Sequence, residues 1–101
     1  PNSELLLLEE YGRPVGSVRL DGSENGNHWE VSIIIAPEWR GRGIGTAALK
    51  LVRCRYKDLC LVAEVLPGND ASRSAFIKAG FIHNNSLGKY IAAPTRQGNQ
   101  D

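Results

Sequence analysis

The feature that most constrains the fold is a strand, turn and helix pattern between residues 29 and 56. Consecutive β-branched residues at Ile33–Ile35 favour a strand covered on both faces, and Pro37 ends it because proline cannot donate to a ladder. A glycine-rich turn follows over Arg40–Gly45. The stretch Thr46–Tyr56 then contains no glycine or proline and spaces its apolar residues as a helix does. The sequence therefore predicts a buried strand that runs through a tight turn into a helix.

The rest of the chain has the same character, with short apolar runs separated by turn residues. The predicted strands are Leu5–Leu8, Val15–Leu20, Trp29–Ala36, Leu59–Leu66, Phe81–His83 and Leu87–Ala92, and the predicted helices are Thr46–Tyr56 and Ala71–Ala79. The order β-β-β-α-β-α-β-β predicts an α/β (α+β) fold with a mixed sheet and helices on both faces. A chain of 101 residues is long enough for one such domain, here residues 1–101.

The composition excludes several classes of function. Twelve basic and eleven acidic residues leave a net charge of +1, which disfavours a domain that coats nucleic acid or acidic membranes. No apolar run approaches the roughly 20 residues of a membrane span, and no signal peptide is recognisable, so we expect a cytoplasmic protein. Cys54 and Cys60 have no histidines at ligand spacing, which predicts no metal site. We interpret them as reduced thiols, with a disulfide as the alternative.

The glycine-rich turn is the candidate for chemistry. Glycines allow the backbone to approach a ligand closely, and the first turn of a helix offers unpaired N–H groups to phosphate oxygens. A Walker loop would need a lysine before Thr46, and a dinucleotide fingerprint would need the spacing G-x-G-x-x-G. The segment Arg40-Gly41-Arg42-Gly43-Ile44-Gly45 has neither. An ordinary strand–helix turn is the alternative, but two arginines beside three glycines favour anion binding.

Two segments resemble one family. Arg40–Gly45 matches the signature Q/R-x-x-G-x-G/A of GNAT acetyltransferases at every fixed position, and Asn69–Phe81 resembles the family's helix that begins at Asn and ends in Lys-x-Gly-Phe. The resemblance covers residues 5–92 and implies a mostly antiparallel sheet with splayed central strands. It also implies a truncated or minimal member that lacks the family's N-terminal strand and helices.

The resemblance implies acetyl-CoA as cosubstrate and assigns its contacts. Backbone N–H groups of Arg40–Thr46 would hold the pyrophosphate, and the backbone of Ile33 and Ile35 would pair with the pantetheine arm. Asn69 and Ser72 would lie beside that arm, and Lys78 would approach the adenosine phosphate. The implied cofactor residues are thus Ile33, Ile35, Arg40, Gly41, Arg42, Gly43, Ile44, Gly45, Thr46, Asn69, Ser72, Phe76 and Lys78.

Direct attack of an amine on a thioester needs a base for the amine and an acid or dipole for the thiolate. Glu30, Glu64 and His28 are the candidate bases, each with an ordinary surface charge as the alternative. Many members of the family carry a tyrosine acid where this chain has Phe76, which has no proton to give. We therefore expect Ser72, Ser74, Tyr90 or water to replace it, or the thiolate to leave with dipole stabilisation alone. We predict Glu30, Glu64 and Ser72 as catalytic residues.

The predicted function is transfer of an acetyl group from acetyl-CoA to the primary amine of a small molecule, such as an amino sugar or a polyamine-like amine. The alternatives are a non-catalytic acyl-CoA-binding or sensing domain of a larger protein, and an unrelated phosphate-binding or interaction module. Because the N-terminal helices are absent, we expect the core to expose apolar surface, and so to form a homodimer or contact a neighbouring domain.

Overall fold

The computed structural model describes residues 2–95, which form six strands and two helices. The strands are β1 (Ser3–Glu10), β2 (Arg13–Gly22), β3 (Trp29–Ile35), β4 (Leu61–Ala63), β5 (Ile82–Asn84) and β6 (Lys89–Ala92), and the helices are α1 (Ile44–Arg55) and α2 (Asp70–Lys78). A short 3₁₀ turn, Pro37–Trp39, lies between β3 and α1. The predicted order of elements is confirmed. Neither helix in the described part of the chain is long and apolar enough to cross a membrane.

The strands form one sheet in the order β1-β2-β3-β4-β6-β5. Only β3 and β4 run parallel, because α1 carries the chain across from one to the other, and every other pair is antiparallel. This confirms the mixed, mostly antiparallel sheet.

Both helices pack on one face of this sheet, which we call the helix face. The register places Val18 opposite Ile33 and Leu20 opposite Val31, so these side chains share that face. The core joins such strand residues to the buried positions of both helices: Val18, Leu20, Val31, Leu61, Ala63, Tyr90 and Ala92 from the sheet, Ala48, Leu49 and Val52 from α1, Phe76 from α2, and Ala79 and Phe81 just after α2. Both helices of residues 2–95 thus lie over the same face of the sheet, where the sequence predicted helices on both faces.

The opposite face of the sheet, the open face, has no helix over it among the described residues. Leu5 and Leu7 of β1 lie there, as does Ile34 of β3 on the other side of β2, and each is more than 60% exposed. Exposed contiguous apolar surface on a domain marks a contact site. The physical reason for the one-sided packing is that the two helices within residues 2–95 are both crossovers beside β4, and they pack against each other as well as the sheet.

The sheet opens into a fork between β3 and β4. Only Trp29 and Glu30 pair with β4, whereas β3 continues to Ile35 with β2 as its only paired strand. The predicted strand Leu59–Leu66 pairs over Leu61–Ala63 only, because the chain then departs toward α2. The central strands are thus splayed, as expected, and the departure shortens the second of them.

Candidate active site

The fork leads into a large cleft on the helix face, with a volume of about 770 Å³. Its walls are the end of β3, the turn before α1, the first turn of α1, the connection from β4 to α2, and one side of α2. The lining residues are Ile33, Ile34, Ile35, Trp39, Arg40, Gly41, Gly43, Ile44, Gly45, Thr46, Leu66, Pro67, Gly68, Asn69, Ala71, Ser72, Ser74, Ala75 and Lys78. Eleven of the thirteen residues expected to hold the cofactor are in this set.

The free edge of β3 presents backbone groups to the cleft. The Trp29 N–H donates to the Cys60 carbonyl on the β4 side, at 2.9 Å. Since backbone groups alternate along a strand, those of Ile33 and Ile35 point the same way. Beyond Glu30 no described residue pairs with this edge. Ile33 therefore offers its N–H and C=O groups, and Ile35 its N–H group, to any extended ligand in the cleft; these are the two residues that the resemblance implied.

The start of α1 leaves its N–H groups open to the same cleft. Gly43 is the N-cap, and its φ of 79° is a left-handed value that glycine adopts without strain. The first backbone bond of the helix runs from the Ala47 N–H to the Gly43 carbonyl, which leaves the N–H groups of residues 44–46 without helical partners. No side chain caps this end, and no acidic residue lies in its first turn. The site is therefore electropositive through its backbone.

The start of α2 is built differently. The Asn69 side chain accepts a hydrogen bond from the Ser72 N–H at 3.2 Å, which satisfies one of the unpaired donors. Asp70 lies in the first turn and forms an ion pair with Arg73. Groups of the protein itself therefore already satisfy part of the positive end of this helix. Asn69 and Ser72 both border the cleft as expected, and the structure adds a capping role for Asn69.

The two arginines of the turn serve it in different ways. The Arg40 Nε donates to the Ile35 carbonyl at 2.9 Å, which ties the side chain across the end of β3. The Arg42 guanidinium stacks over the Trp39 ring at 4.7 Å and donates to the Glu38 carbonyl. Arg42 does not line the cleft, whereas Trp39, which sequence reasoning missed, does. The aromatic residue before the turn was the available signal.

On α2, Phe76 does not border the cleft, although the resemblance placed it among the cofactor residues. Phe76 is 2% exposed and packs edge-to-face on Phe81, with ring centroids 4.9 Å apart. It faces the core and does not line the cleft. Ser74 lines the cleft together with Ser72, so both serines named as candidate acids border it. The cleft runs along a side of α2 next to its buried face, since Ala75 borders the cleft and also packs against the core.

Both candidate carboxylates lie on the open face of the sheet, outside the cleft. Glu30 is paired with Val62 at the closed end of the fork and lies 3.4 Å from the Lys89 ammonium. Val65 packs against the core, so the preceding Glu64 points to the open face, in line with its exposure. Of the remaining acid and base candidates, His28 and Tyr90 are also absent from the cleft lining. Within residues 2–95, no cluster of histidine, cysteine, aspartate and glutamate is arranged to hold a metal ion.

The sequence profile of the acetyltransferase (GNAT) family matches residues 1–81, a span that includes the fork, the turn and both helices. The chain belongs to this family. It is 33% identical over 88 residues to an uncharacterized N-acetyltransferase of Methanocaldococcus jannaschii. That match covers 83% of this chain and 56% of the relative, so the chain spans about half the length of the curated relative it matches.

Solved structures share the fold. An acetyltransferase of the GNAT family from Streptococcus pneumoniae superposes with a TM-score of 0.74 at 21% identity, over 82% of this chain and 54% of that one. An aminoglycoside acetyltransferase in complex with coenzyme A superposes with a TM-score of 0.68 at 19% identity, over 81% and 57%. At these identities the likeness shows the common fold, with its splayed sheet and two crossover helices.

Proposed function

We propose that this protein transfers an acetyl group from acetyl-CoA to the primary amine of a small molecule. The observation that carries the proposal is the uncapped start of α1, which opens into a cleft beside the unpaired edge of β3. A phosphate group and an extended arm are the two parts of coenzyme A that such a cleft accommodates.

The cofactor would lie along the cleft in three contacts. The N–H groups at Arg40–Thr46 take the pyrophosphate, and the backbone of Ile33 and Ile35 pairs with the amides of the pantetheine arm as an added strand would. Asn69 and Ser72 border the arm from α2. Lys78, at the far end of α2 and on the cleft, takes the phosphate on the adenosine.

The thioester would then lie at the fork, where β3 and β4 separate. A carboxylate on the open face, Glu30 or Glu64, takes a proton from the acceptor's ammonium, and the neutral amine attacks the thioester carbonyl. Phe76 has no proton to donate and faces the core. The hydroxyls of Ser72 and Ser74 are the donors that the cleft offers to the departing thiolate. The reaction uses acetyl-CoA, and our proposal assigns no metal to it.

The acceptor class rests on charge and on the comparison. Glu30 and Glu64 lie at the fork on the open face and would attract a cationic amine. A structural neighbour is an aminoglycoside acetyltransferase, whose name denotes an amino sugar acceptor. We therefore favour an amino sugar or a polyamine-like amine in the cytoplasm, where acetyl-CoA is available. We also propose that a second copy or a neighbouring domain covers the open face.

A second function has one specific observation in its favour. The lining of the cleft contains Arg40 and Lys78 as its ionisable residues and, among the described residues, no carboxylate or histidine. A domain that binds acyl-CoA without catalysis, inside a larger protein, needs nothing more than this. The two functions differ in whether thiol is released.

The experiment combines calorimetry and a thiol assay on the full-length protein. We expect acetyl-CoA to bind, and a panel of primary amines to release free CoA with at least one member. Binding without thiol release for any amine would favour the acyl-CoA-binding domain. Absence of acetyl-CoA binding would overturn both.

A further inference from the structure

The C-terminal end of α2 is closed by a turn that leaves one carbonyl for another element to bind. The Gly80 N–H donates to the Ile77 carbonyl at 3.0 Å. The Phe81 N–H donates to the Phe76 carbonyl at 2.9 Å, and Gly80 has a φ of 97°, as expected of a helix that ends in a left-handed glycine. The Ala79 carbonyl lies beyond the acceptors that this turn satisfies, and Ala79 is buried. A buried carbonyl needs a donor.

The donor comes from the other helix. Arg53, in the last turn of α1, donates from Nη1 to the Ala79 carbonyl at 3.0 Å. A Cβ at Gly80 would overlap the same nitrogen, so only glycine leaves room there for the guanidinium. Among residues 2–95, Arg53 takes part in no ion pair. Its charge therefore stabilises the negative end of α2 instead of a carboxylate.

A second contact between the two helices borders the cleft. A Cβ at Gly45 would lie 3.6 Å from the Cβ of Ala75, so α1 and α2 approach each other closely here, and both residues line the cleft. Apolar contact of this kind has no preferred direction. The hydrogen bond from Arg53 is directional, and its acceptor Ala79 follows Ala75 by four residues. The two contacts together fix the last turn of α2 against α1.

Lys78 lies between these two contacts in the chain. It follows Ala75 by three residues, directly precedes Ala79, and borders the cleft with an exposed side chain. A lysine side chain already loses rotamer freedom when it binds a ligand. Freedom of the backbone that carries it would add to this cost and weaken the contact. The bond from Arg53 removes that backbone freedom before the ligand arrives, which is how preorganisation raises affinity.

We infer that Arg53 is a positioning residue for coenzyme A: it fixes the last turn of α2, and with it the place from which Lys78 binds the phosphate on the adenosine. Arg53 is not among the residues that line the cleft, so it acts through α2 and not by touching the ligand. The inference rests on the proposed function, which places that phosphate beside Lys78.

The first test measures, by calorimetry, the affinity for CoA and for dephospho-CoA, which lacks the phosphate on the adenosine. For Arg53→Met we expect CoA affinity to fall about threefold, because the ligand must then order the last turn of α2 itself, and dephospho-CoA affinity to change by less than about 1.5-fold. Arg55→Met is the matched control. It removes the same charge from the same turn of α1, but Arg55 contacts Tyr56 and not α2, so both affinities should stay within about 1.5-fold of the parent.

A second test separates the positioning of Lys78 from a general loosening of the fold. If Arg53 acts through Lys78, the two losses do not multiply, and the double variant Arg53→Met/Lys78→Met should bind CoA about as weakly as Lys78→Met alone. An arginine that only stabilises the fold would lower the affinity for both ligands, or lower CoA affinity further in the double variant.

Conservative variants complete the series. Because a single N–H of Arg53 makes the bond to Ala79, Arg53→Lys, which keeps a charged donor, should keep more of the preference for CoA over dephospho-CoA than Arg53→Met does. Urea unfolding verifies that each variant is folded under the conditions of the calorimetry. If Arg53→Met does not fold, Arg53→Gln takes its place in the comparison, with the same expected difference between the two ligands.

Distinct outcomes overturn the inference and the function. Equal losses for the two ligands in Arg53→Met, no loss for either, an equal effect of Arg55→Met, or multiplied losses in the double variant would each overturn the positioning role while the parent still binds coenzyme A. Equal losses for the two ligands in Lys78→Met would overturn the placement of the phosphate, and the inference with it. A parent that binds neither acetyl-CoA nor CoA would overturn the proposed function.

Discussion

Two helices begin at the same cleft, and their first turns are built in opposite ways. At α1 the N-cap is a glycine with no side chain to accept a bond, and its first turn has no acid. At α2 the N-cap Asn69 accepts a bond from Ser72, and Asp70 adds a negative charge. The comparison shows that the N–H groups at a helix start remain available to an anion where no side chain caps them. The start of α1 therefore lacks the stabilising cap that the start of α2 has.

The largest effect should come from a negative charge at the N-cap of α1. Gly43→Asp adds a carboxylate beside the proposed pyrophosphate contact, and at a few ångströms two such charges repel by about 1–4 kcal/mol. We expect acetyl-CoA affinity to fall by about 100-fold or more once loss of the left-handed backbone is included. Calorimetry measures the change.

Gly68→Asp is the matched control for this change. Gly68 also has positive φ, open space where a Cβ would go, and a place in the cleft lining, but it precedes α2. Its substitution brings the same strain and charge to the helix start that already holds an acid. A loss of affinity as large as that of Gly43→Asp would contradict the distinction between the two helix starts.

A charge in the first turn of α1 should change stability and binding in opposite directions. Thr46 borders the cleft, and Thr46→Glu places an acid near the positive end of the helix, which stabilises a fold by about 0.3–1 kcal/mol. The same charge faces the pyrophosphate and should weaken acetyl-CoA binding by about tenfold.

Thr46→Gln has nearly the same size without the charge, so it separates steric filling of the cleft from repulsion. Urea unfolding of both variants measures the change in stability, and calorimetry measures the change in acetyl-CoA affinity. If Thr46→Gln weakens binding as much as Thr46→Glu does, the electropositive character of this helix start is not what holds the ligand.

Removal of the cap at α2 should mainly affect stability. Asn69→Ala leaves the Ser72 N–H without its acceptor, and such substitutions cost about 1 kcal/mol. We expect the free energy of unfolding to fall by this amount, while acetyl-CoA affinity falls by less than about fivefold. Denaturant titration measures the first value. Asn69→Asp keeps the acceptor and should restore the stability; failure to do so would show that Asn69 acts through something other than its cap.

The smallest effect is expected at the other end of α2. Lys78 lies in its last turn, on the cleft, where we place the phosphate on the adenosine. Lys78→Met removes an exposed charge–charge contact and should weaken CoA binding by about three- to fivefold. Dephospho-CoA lacks that phosphate, so its affinity should not change. An equal loss of affinity for both ligands would contradict a contact between this phosphate and Lys78.

Much of this architecture was predictable because it depends on neighbouring residues. β-branched runs predicted the strands, and the glycines of Arg40–Gly45 predicted a tight turn, in which Gly41 and Gly43 adopt positive φ. Asn69 has the residue type of a helix cap and is one. The resemblance named Ile33 and Ile35, and both border the cleft together with Ile34.

Only the tertiary structure determines which sides of the helices contact the sheet and which border the cleft. The direction of Phe76, the presence of Ser74 on the cleft and the packing of both helices on one face depend on how α1 and α2 are docked, which no local pattern encodes. The Glu30–Lys89 ion pair joins residues 59 apart in the chain, and it exists because β6 lies next to β4. Sequence determines a strand, a turn or a cap through contacts a few residues away. The sides of the sheet and the partners of its charges are set by contacts between distant segments, where burial of apolar surface outweighs local preference.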